Sequence, residues 1–239
     1  MKLEDLKIAI YADGANIQEM KHEYAKGIVK GFTTNPTLMK KAGIKSYSAF
    51  SKEVLREIPD LPISMEVFAD DFEIMGKEAR EIASWGNNVY VKIPISNTKG
   101  ESSIPLIKCL SDEGLKLNIT AMFTLEQVES VLKVLKLETQ NIVSIFAGRI
   151  MDAGVDAEVI MKKASELCKK SGKAKLLWAS CREVFNIVQA DRCNVDIITV
   201  TNDILAKLKN LGKDLNQYSL ETVQMFARDS KALGFSVLE

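Results

Sequence analysis

Eight short β-type runs, each followed by a stretch with helical spacing, limit what this chain can fold into. They are Ile8 to Asp13, Gly31 to Asn35, Pro62 to Val67, Asn88 to Pro94, Lys116 to Met122, Ile142 to Arg149, Lys175 to Ser180 and Val195 to Thr201. Helical spacing is clearest in Tyr47 to Ile58, Asp71 to Trp85, Thr124 to Leu135 and Ala157 to Lys170. Thr124 and Gln127 form a capping-box signature ahead of Val128, Val131 and Leu132. Gly43, Gly86, Gly114 and Gly172 stand where helices should end, and Asn202-Asp203 opens a stretch from Ile204 to Leu211 that Gly212 closes. Alternating strands and helices demand a parallel sheet with helical crossovers. Eight such units in 239 residues predict a closed α/β barrel, (β/α)8, as a single domain over 1–239. The competing open, doubly wound sheet wants a GxGxxG turn after its first strand, and Asp13-Gly14-Ala15-Asn16 is not one. After the eighth unit, Leu220, Val223, Phe226 and Leu233 give an apolar stripe within an extra C-terminal helix, the arm 219–239. Such a helix either closes the barrel bottom or packs on a neighbouring subunit.

Composition narrows the chemistry. Apolar residues make up 46% and charged residues 27%, enough for a large core. The 32 basic and 32 acidic residues cancel, which argues against nucleic acid or a membrane surface as partner. No apolar run approaches the ~20 residues of a membrane span, and Glu4, Asp5 and Lys7 interrupt any signal-peptide core. The four cysteines (Cys109, Cys168, Cys181, Cys193) include no CxxC pair, and His22 is the only histidine. The expectation is reduced thiols in a cytoplasmic protein with no metal and no cofactor. One histidine also argues against a Ser-His or Cys-His nucleophile. Any catalysis falls to Lys, Asp, Glu, Arg and hydroxyls.

Several strand runs carry polar residues where a strand buried on both faces would be apolar. Ile8, Ile10 and Ala12 oppose Tyr11 and Asp13; Ile63, Met65 and Val67 oppose Ser64 and Glu66. Val89, Val91 and Ile93 oppose Tyr90 and Lys92; Leu117, Ile119 and Ala121 oppose Asn118 and Thr120. The aliphatic parity suits packing against outer helices, so the polar parity points into the barrel. Unpaired polar groups there cost several kcal/mol each, which makes a purely structural network the weaker reading. Lys92 between aliphatic neighbours is an amine nucleophile candidate. With a ketone it would form a Schiff base, and Asp13 and Glu66 would move the protons. A phosphate clamp is the alternative role for the lysine. Arg149 and Arg182, beyond the sixth and seventh runs, form a candidate anion site, with Ser180 and the N-terminus of a helix starting near Arg182.

The segments GFTTNPTLMKKAG, ISMEV, VYVKIP, LNITAMFTLEQ, FAGRIMD and WASCRE follow one another in an order that resembles the transaldolase family. The resemblance runs from the first strand to ITVTNDILAKL. It implies a (β/α)8 barrel that transfers a dihydroxyacetone unit. By resemblance, Lys92 attacks the C2 carbonyl of a ketose phosphate and Asp13 takes the C4 hydroxyl proton. Glu66, through a water held by Thr120, shuttles protons. Asn35, Asn118 and Ser180 hold hydroxyls, Thr33 supports the site, Ser144 and Phe146 complete the substrate contacts, and Arg149 and Arg182 bind phosphate. The length resembles the small subfamily that also contains fructose-6-phosphate aldolases, which release free dihydroxyacetone. In that aldolase pattern Gln stands at the Glu66 position and Tyr at the Phe146 position. Asp13-Gly14-Ala15-Asn16 departs from the usual Asp-Thr opening, and Cys181 replaces an aromatic residue. The implied reaction is transaldolase transfer between phosphorylated sugars, with the free aldolase as alternative and an idle sugar-phosphate-binding barrel as the third. The resemblance also implies a homo-oligomer, a pentamer or decamer, with a dimer as the long-form alternative.

Overall fold

All eight expected runs contribute a strand to one closed parallel barrel in the computed structural model of the protein, which describes residues 2–238. The strands are β1 (Ala9–Asp13), β2 (Phe32–Thr33), β3 (Ile63–Glu66), β4 (Val89–Pro94), β5 (Leu117–Met122), β6 (Ile142–Ile145), β7 (Lys175–Trp178) and β8 (Ile197–Thr201). They pair in sequence order, and β8 returns to β1 through the register Ala9↔Ile197 to Asp13↔Thr201. Between them lie α1 (Ile17–Ala25), α2 (Pro36–Lys41), α3 (Tyr47–Glu57), α4 (Phe72–Ser84), α5 (Ile104–Asp112), α6 (Leu125–Val134), α7 (Ala147–Asp152), α8 (Ala157–Ser171) and α9 (Phe185–Arg192). After β8 come α10 (Asn202–Leu205) and the long α11 (Leu215–Leu233).

Local sequence explains the boundaries. Side chains of Asn16, Asn35, Ser46, Asp71, Asp156 and Asp214 accept from first-turn N–H groups, and Thr124 and Gln127 close the expected capping box. Gly172 ends α8 in the left-handed region at φ 65°, as helix-stop chemistry requires. Gly86 follows α4 without adopting positive φ, so only three of the four expected glycine stops are left-handed (Gly43, Gly114 and Gly172). Outward-facing Ile10, Ala12, Met65, Val91, Ile93 and Ile119 join the main core between barrel and helices. Tyr11, Tyr90, Ile142, Leu177, Ala179 and Ile197 form a second cluster inside the barrel. Tyr11 fits because residue 31 is glycine: a Cβ there would lie 2.5 Å from its ring.

Five expectations need correction. The sixth run stops at Ile145, because the chain turns at Phe146 into α7 and places Arg149 on a helix. The second run is only Phe32–Thr33, since Asn35 caps a helix that Pro36 begins. Ile204 to Leu211 is α10 plus a 3-10 turn, Leu208–Asn210, rather than one helix. Ala121 does not stay on the outer face: the β5–β6 register shifts between Ile119 and Met122, and Ala121 adopts φ 59°. The terminal helix begins at Leu215, ahead of the expected arm, and has no buried residue. It therefore does not cover its own barrel.

Candidate active site

The C-terminal ends of the strands enclose a cavity of about 400 Å³. It brings together Asp13, Thr33, Asn35, Glu66, Lys92, Asn118, Thr120, Ser144, Phe146, Arg149 and Ser180, contributed by β1 to β7, the turns that follow them and, for Arg149, α7. Of the expected site residues only Arg182 is not in its lining.

Lys92 lies at the cavity floor, 7% exposed. Register places it beside Glu66 on β3, and its Nζ is 2.9 Å from the Glu66 carboxylate. The same ammonium donates to the Thr34 carbonyl at 2.9 Å. Burying an amine costs several kcal/mol unless it is paired, and these two acceptors offset that cost. Asp13 accepts from the Thr33 hydroxyl at 2.7 Å, and Thr33 and Thr199 share a contact of 2.5 Å between hydroxyls. Asp13 is half-buried at the C-terminal end of β1. Burial therefore raises its pKa above the ordinary carboxylate value, with the nearby Glu66 adding to the rise and Lys92 and the Thr33 hydrogen bond opposing it.

Neighbouring strands fix the amide of Asn118. It donates to Ser64 Oγ at 3.0 Å and accepts from Ser144 Oγ at 2.6 Å, so its orientation is set by two partners. The Thr120 hydroxyl is buried and has no hydrogen-bond partner. A buried hydroxyl left unmatched in a cavity is a polar group awaiting a water or a ligand. Asn35 lines the cavity while its Oδ1 caps α2 by accepting from Leu38 at 3.0 Å.

At the rim, Arg149 stands 5.2 Å from the Phe146 ring centroid, a cation–π contact, and Ser180 takes φ 64°. Gly148 makes this turn possible: a Cβ there would fall 1.6 Å from the Ser180 carbonyl oxygen. Arg182 packs its stem beside Gly148 but turns its guanidinium to Asp152, with Nε 3.3 Å from Oδ1 and a second contact from Nη2 to Oδ2. The expected two-arginine anion site is therefore not assembled, because Asp152 on α7 competes for the charge. The expected helix N-terminus is corrected as well. α9 starts at Phe185, and the N–H groups of Arg182 and Glu183 are already bound by Asn186 Oδ1.

Sequence reasoning missed Thr199, Ser64 as the partner of Asn118, the Thr34 carbonyl and Ala121. Thr199 was readable, since Ile197, Thr199 and Thr201 share the parity that faces inward. Ala121 lines the cavity only because of the register shift. Among the described residues no group of three His, Cys, Asp or Glu side chains could hold a metal ion. No described helix is long and apolar enough to cross a membrane. An amine paired with a carboxylate, a second carboxyl across the cavity, several hydroxyls and amides, and a rim arginine suit proton-coupled carbonyl chemistry on a polyhydroxylated anion.

Residues 10–237 match the sequence model of a family described as transaldolase/fructose-6-phosphate aldolase. The chain is 35% identical over 200 residues to a probable transaldolase of Dehalococcoides mccartyi, covering 83% of this chain and 89% of the relative. It is 35% identical over 204 residues to a probable transaldolase of Methanococcus maripaludis strain C7, covering 84% and 89%. Against probable transaldolase 2 of Listeria monocytogenes serovar 1/2a the identity is 32% over 199 residues, covering 83% and 87%. Among solved structures the barrel resembles KGPDC from Streptococcus mutans, with a TM-score of 0.55 at 13% identity, covering 82% of this chain and 89% of that one. It also resembles 3-keto-L-gulonate-6-phosphate decarboxylase from Vibrio cholerae O1, with a TM-score of 0.54 at 14% identity, covering 86% and 96%. At those identities the likeness is one of fold.

Proposed function

The chain belongs to the transaldolase/fructose-6-phosphate aldolase family, and from that membership we propose that it transfers a dihydroxyacetone unit through a Schiff base on Lys92. The donor is a ketose phosphate, fructose 6-phosphate or sedoheptulose 7-phosphate, and the acceptor an aldose phosphate. The observation that carries this reading is the Lys92 amine held between the Glu66 carboxylate and the Thr34 carbonyl under a cavity lined with hydroxyls.

In this reading Lys92 passes a proton to the Glu66 carboxylate 2.9 Å away and attacks C2 of the ketose, and the carbinolamine expels water as Glu66 returns that proton to the leaving hydroxyl. Thr120, whose hydroxyl has no protein partner, binds that water. The resulting iminium draws the C3–C4 bonding pair into an enamine while Asp13 removes the C4 hydroxyl proton, and the aldehyde departs. A second aldehyde accepts the enamine carbon, Asp13 returns its proton, and water releases the product from Lys92. Asn118 and Asn35 hold hydroxyls of the three-carbon unit, and Arg149 takes the phosphate. Phe146 favours transfer over release. A phenol at the cavity mouth could donate a proton or order a water at the enamine, and a phenyl ring can do neither. Buried free thiols at Cys168, Cys181 and Cys193 support a reducing compartment, the cytoplasm.

Borohydride added with fructose 6-phosphate should leave a three-carbon adduct on Lys92, read by peptide mass spectrometry. Lys92→Met, which keeps most of the side-chain volume, should give no adduct and no transfer. An adduct on another lysine removes the mechanism. Wild type should release little dihydroxyacetone from fructose 6-phosphate alone. Release as fast as transfer to erythrose 4-phosphate would make the protein a free aldolase.

A further inference from the structure

The hydrogen-bond ladder from β2 to β3 stops one rung short. The Phe32 N–H donates to the Pro62 carbonyl at 2.8 Å and the Thr34 N–H to the Ser64 carbonyl at 3.1 Å. In a parallel pair the next rung would join the N–H of residue 36 to the Glu66 carbonyl. Residue 36 is Pro36, the first residue of α2, and it has no N–H. The main-chain carbonyl of the residue that faces Lys92 is thus left without a ladder donor, and such a group costs free energy if unpaired.

Tyr47 supplies the donor. Its hydroxyl gives a hydrogen bond to the Glu66 carbonyl at 3.0 Å from the first turn of α3, outside the barrel. The ring is fixed from two sides. It stacks on Phe68 with centroids 4.7 Å apart and meets Trp85 edge-on at 5.3 Å. Burial raises the phenol's pKa, so the group stays a donor. The second acceptor of Lys92 lies at the same break: the Thr34 carbonyl binds the ammonium, while the Thr34 hydroxyl donates to Ser64 O at 3.2 Å.

We infer that Tyr47 is a positioning residue for Lys92: its hydroxyl completes the rung that Pro36 removes and so holds the Glu66 end of β3 against the amine. The kinetic consequence rests on the Schiff-base reading above; the geometric one does not. Tyr47→Phe keeps both ring contacts and deletes only the hydroxyl. Reductive methylation with formaldehyde and cyanoborohydride probes Lys92 without any turnover. In Tyr47→Phe, Lys92 should be methylated about three-fold faster than in wild type, as its ammonium loses a firmly held acceptor, with other lysines unchanged. In transfer assays well below the melting temperature, kcat should fall about ten-fold with KM within about two-fold. Phe68→Leu, which loosens the ring packing and keeps the hydroxyl and the Trp85 contact, should have a clearly smaller effect in both measurements. Wild-type methylation at Lys92, wild-type kcat, or an equal effect from Phe68→Leu overturns the assignment, whatever happens to the melting temperature. If wild type forms no borohydride adduct with fructose 6-phosphate, the functional reading falls instead, and the methylation comparison alone decides the role of Tyr47.

Discussion

Asp13 shows how a single side chain links the fold to the reaction. Burial holds its carboxyl above the ordinary value of 3.8, against the attraction of Lys92 and the hydrogen bond from Thr33. A base must be ionised, so kcat/KM should fall as pH drops through this raised pKa, at a higher pH than an exposed carboxylate would give. Thr33→Val removes a contact that favours the carboxylate and should move the acid limb further upward; an unmoved limb would exclude Asp13 as the group observed. Stability has the corresponding sign. Because the folded protein binds this proton more tightly than the unfolded chain does, the contribution is fully present below 3.8 and is lost as pH rises through the folded pKa. Asp13→Asn should therefore melt higher than wild type at neutral pH, with the gain shrinking in mild acid. Residue identity at this scale was legible from strand parity alone for Asp13, Glu66, Lys92, Asn118 and Thr120. Parity could not show Ala121, because a bulge adds a residue without leaving a mark in the sequence.

Strand and helix types were legible because periodicity and caps agree in this chain, as with Thr124 and Gln127 opening α6. The misread segments lie where a strand end becomes functional. FAGRI carries β-formers past Ile145, yet close packing of Gly148 on the Ser180 carbonyl turns the chain into α7. That turn decides the fate of Arg182. Asp152, at the end of α7, holds the guanidinium, so we propose that a phosphate contact from Arg182 would require the two to part. The pair is about half exposed on both sides, which makes its own contribution small. A charge-assisted contact to phosphate is worth about 1.5–3 kcal/mol, so on the proposed reading exchange would favour a phosphorylated substrate. Arg182→Ala should raise KM for phosphorylated acceptors roughly ten-fold and leave unphosphorylated aldehydes little changed. Asp152→Asn should lower KM for the same phosphorylated acceptors. If Asp152→Asn leaves KM unchanged and Arg182→Ala affects both acceptor types equally, Arg182 is not a phosphate ligand.

At the scale of the whole molecule, the unsettled surface is α11. Nineteen residues of helix, a span of roughly 28 Å, have no buried side chain among them. Leu220, Val223 and Phe226 recur three residues apart and are 50%, 60% and 60% exposed. Most helical stability in proteins comes from packing an apolar face against other structure. Fully burying such side chains is worth about 1.5–3 kcal/mol each, and roughly half of that remains to be gained here. The barrel beneath leaves the helix uncovered, so we propose that a second copy of the chain covers it. One helix does not by itself supply the 1,200–2,000 Å² that stable interfaces typically bury, so the contact must be reciprocal or extend onto the neighbouring barrel. A ring or a two-fold pair both meet that requirement, and a closed ring repeats one heterologous contact at every subunit. Light scattering of wild type should therefore show an oligomer at micromolar concentration, a pentamer or decamer for the ring and a dimer for the pair. Val223→Glu combined with Phe226→Glu places two charges in the stripe and should shift the protein toward monomer, with the circular dichroism of the barrel retained. A wild-type monomer would end the proposal, and an oligomer that survives both charges would locate the interface elsewhere on the barrel.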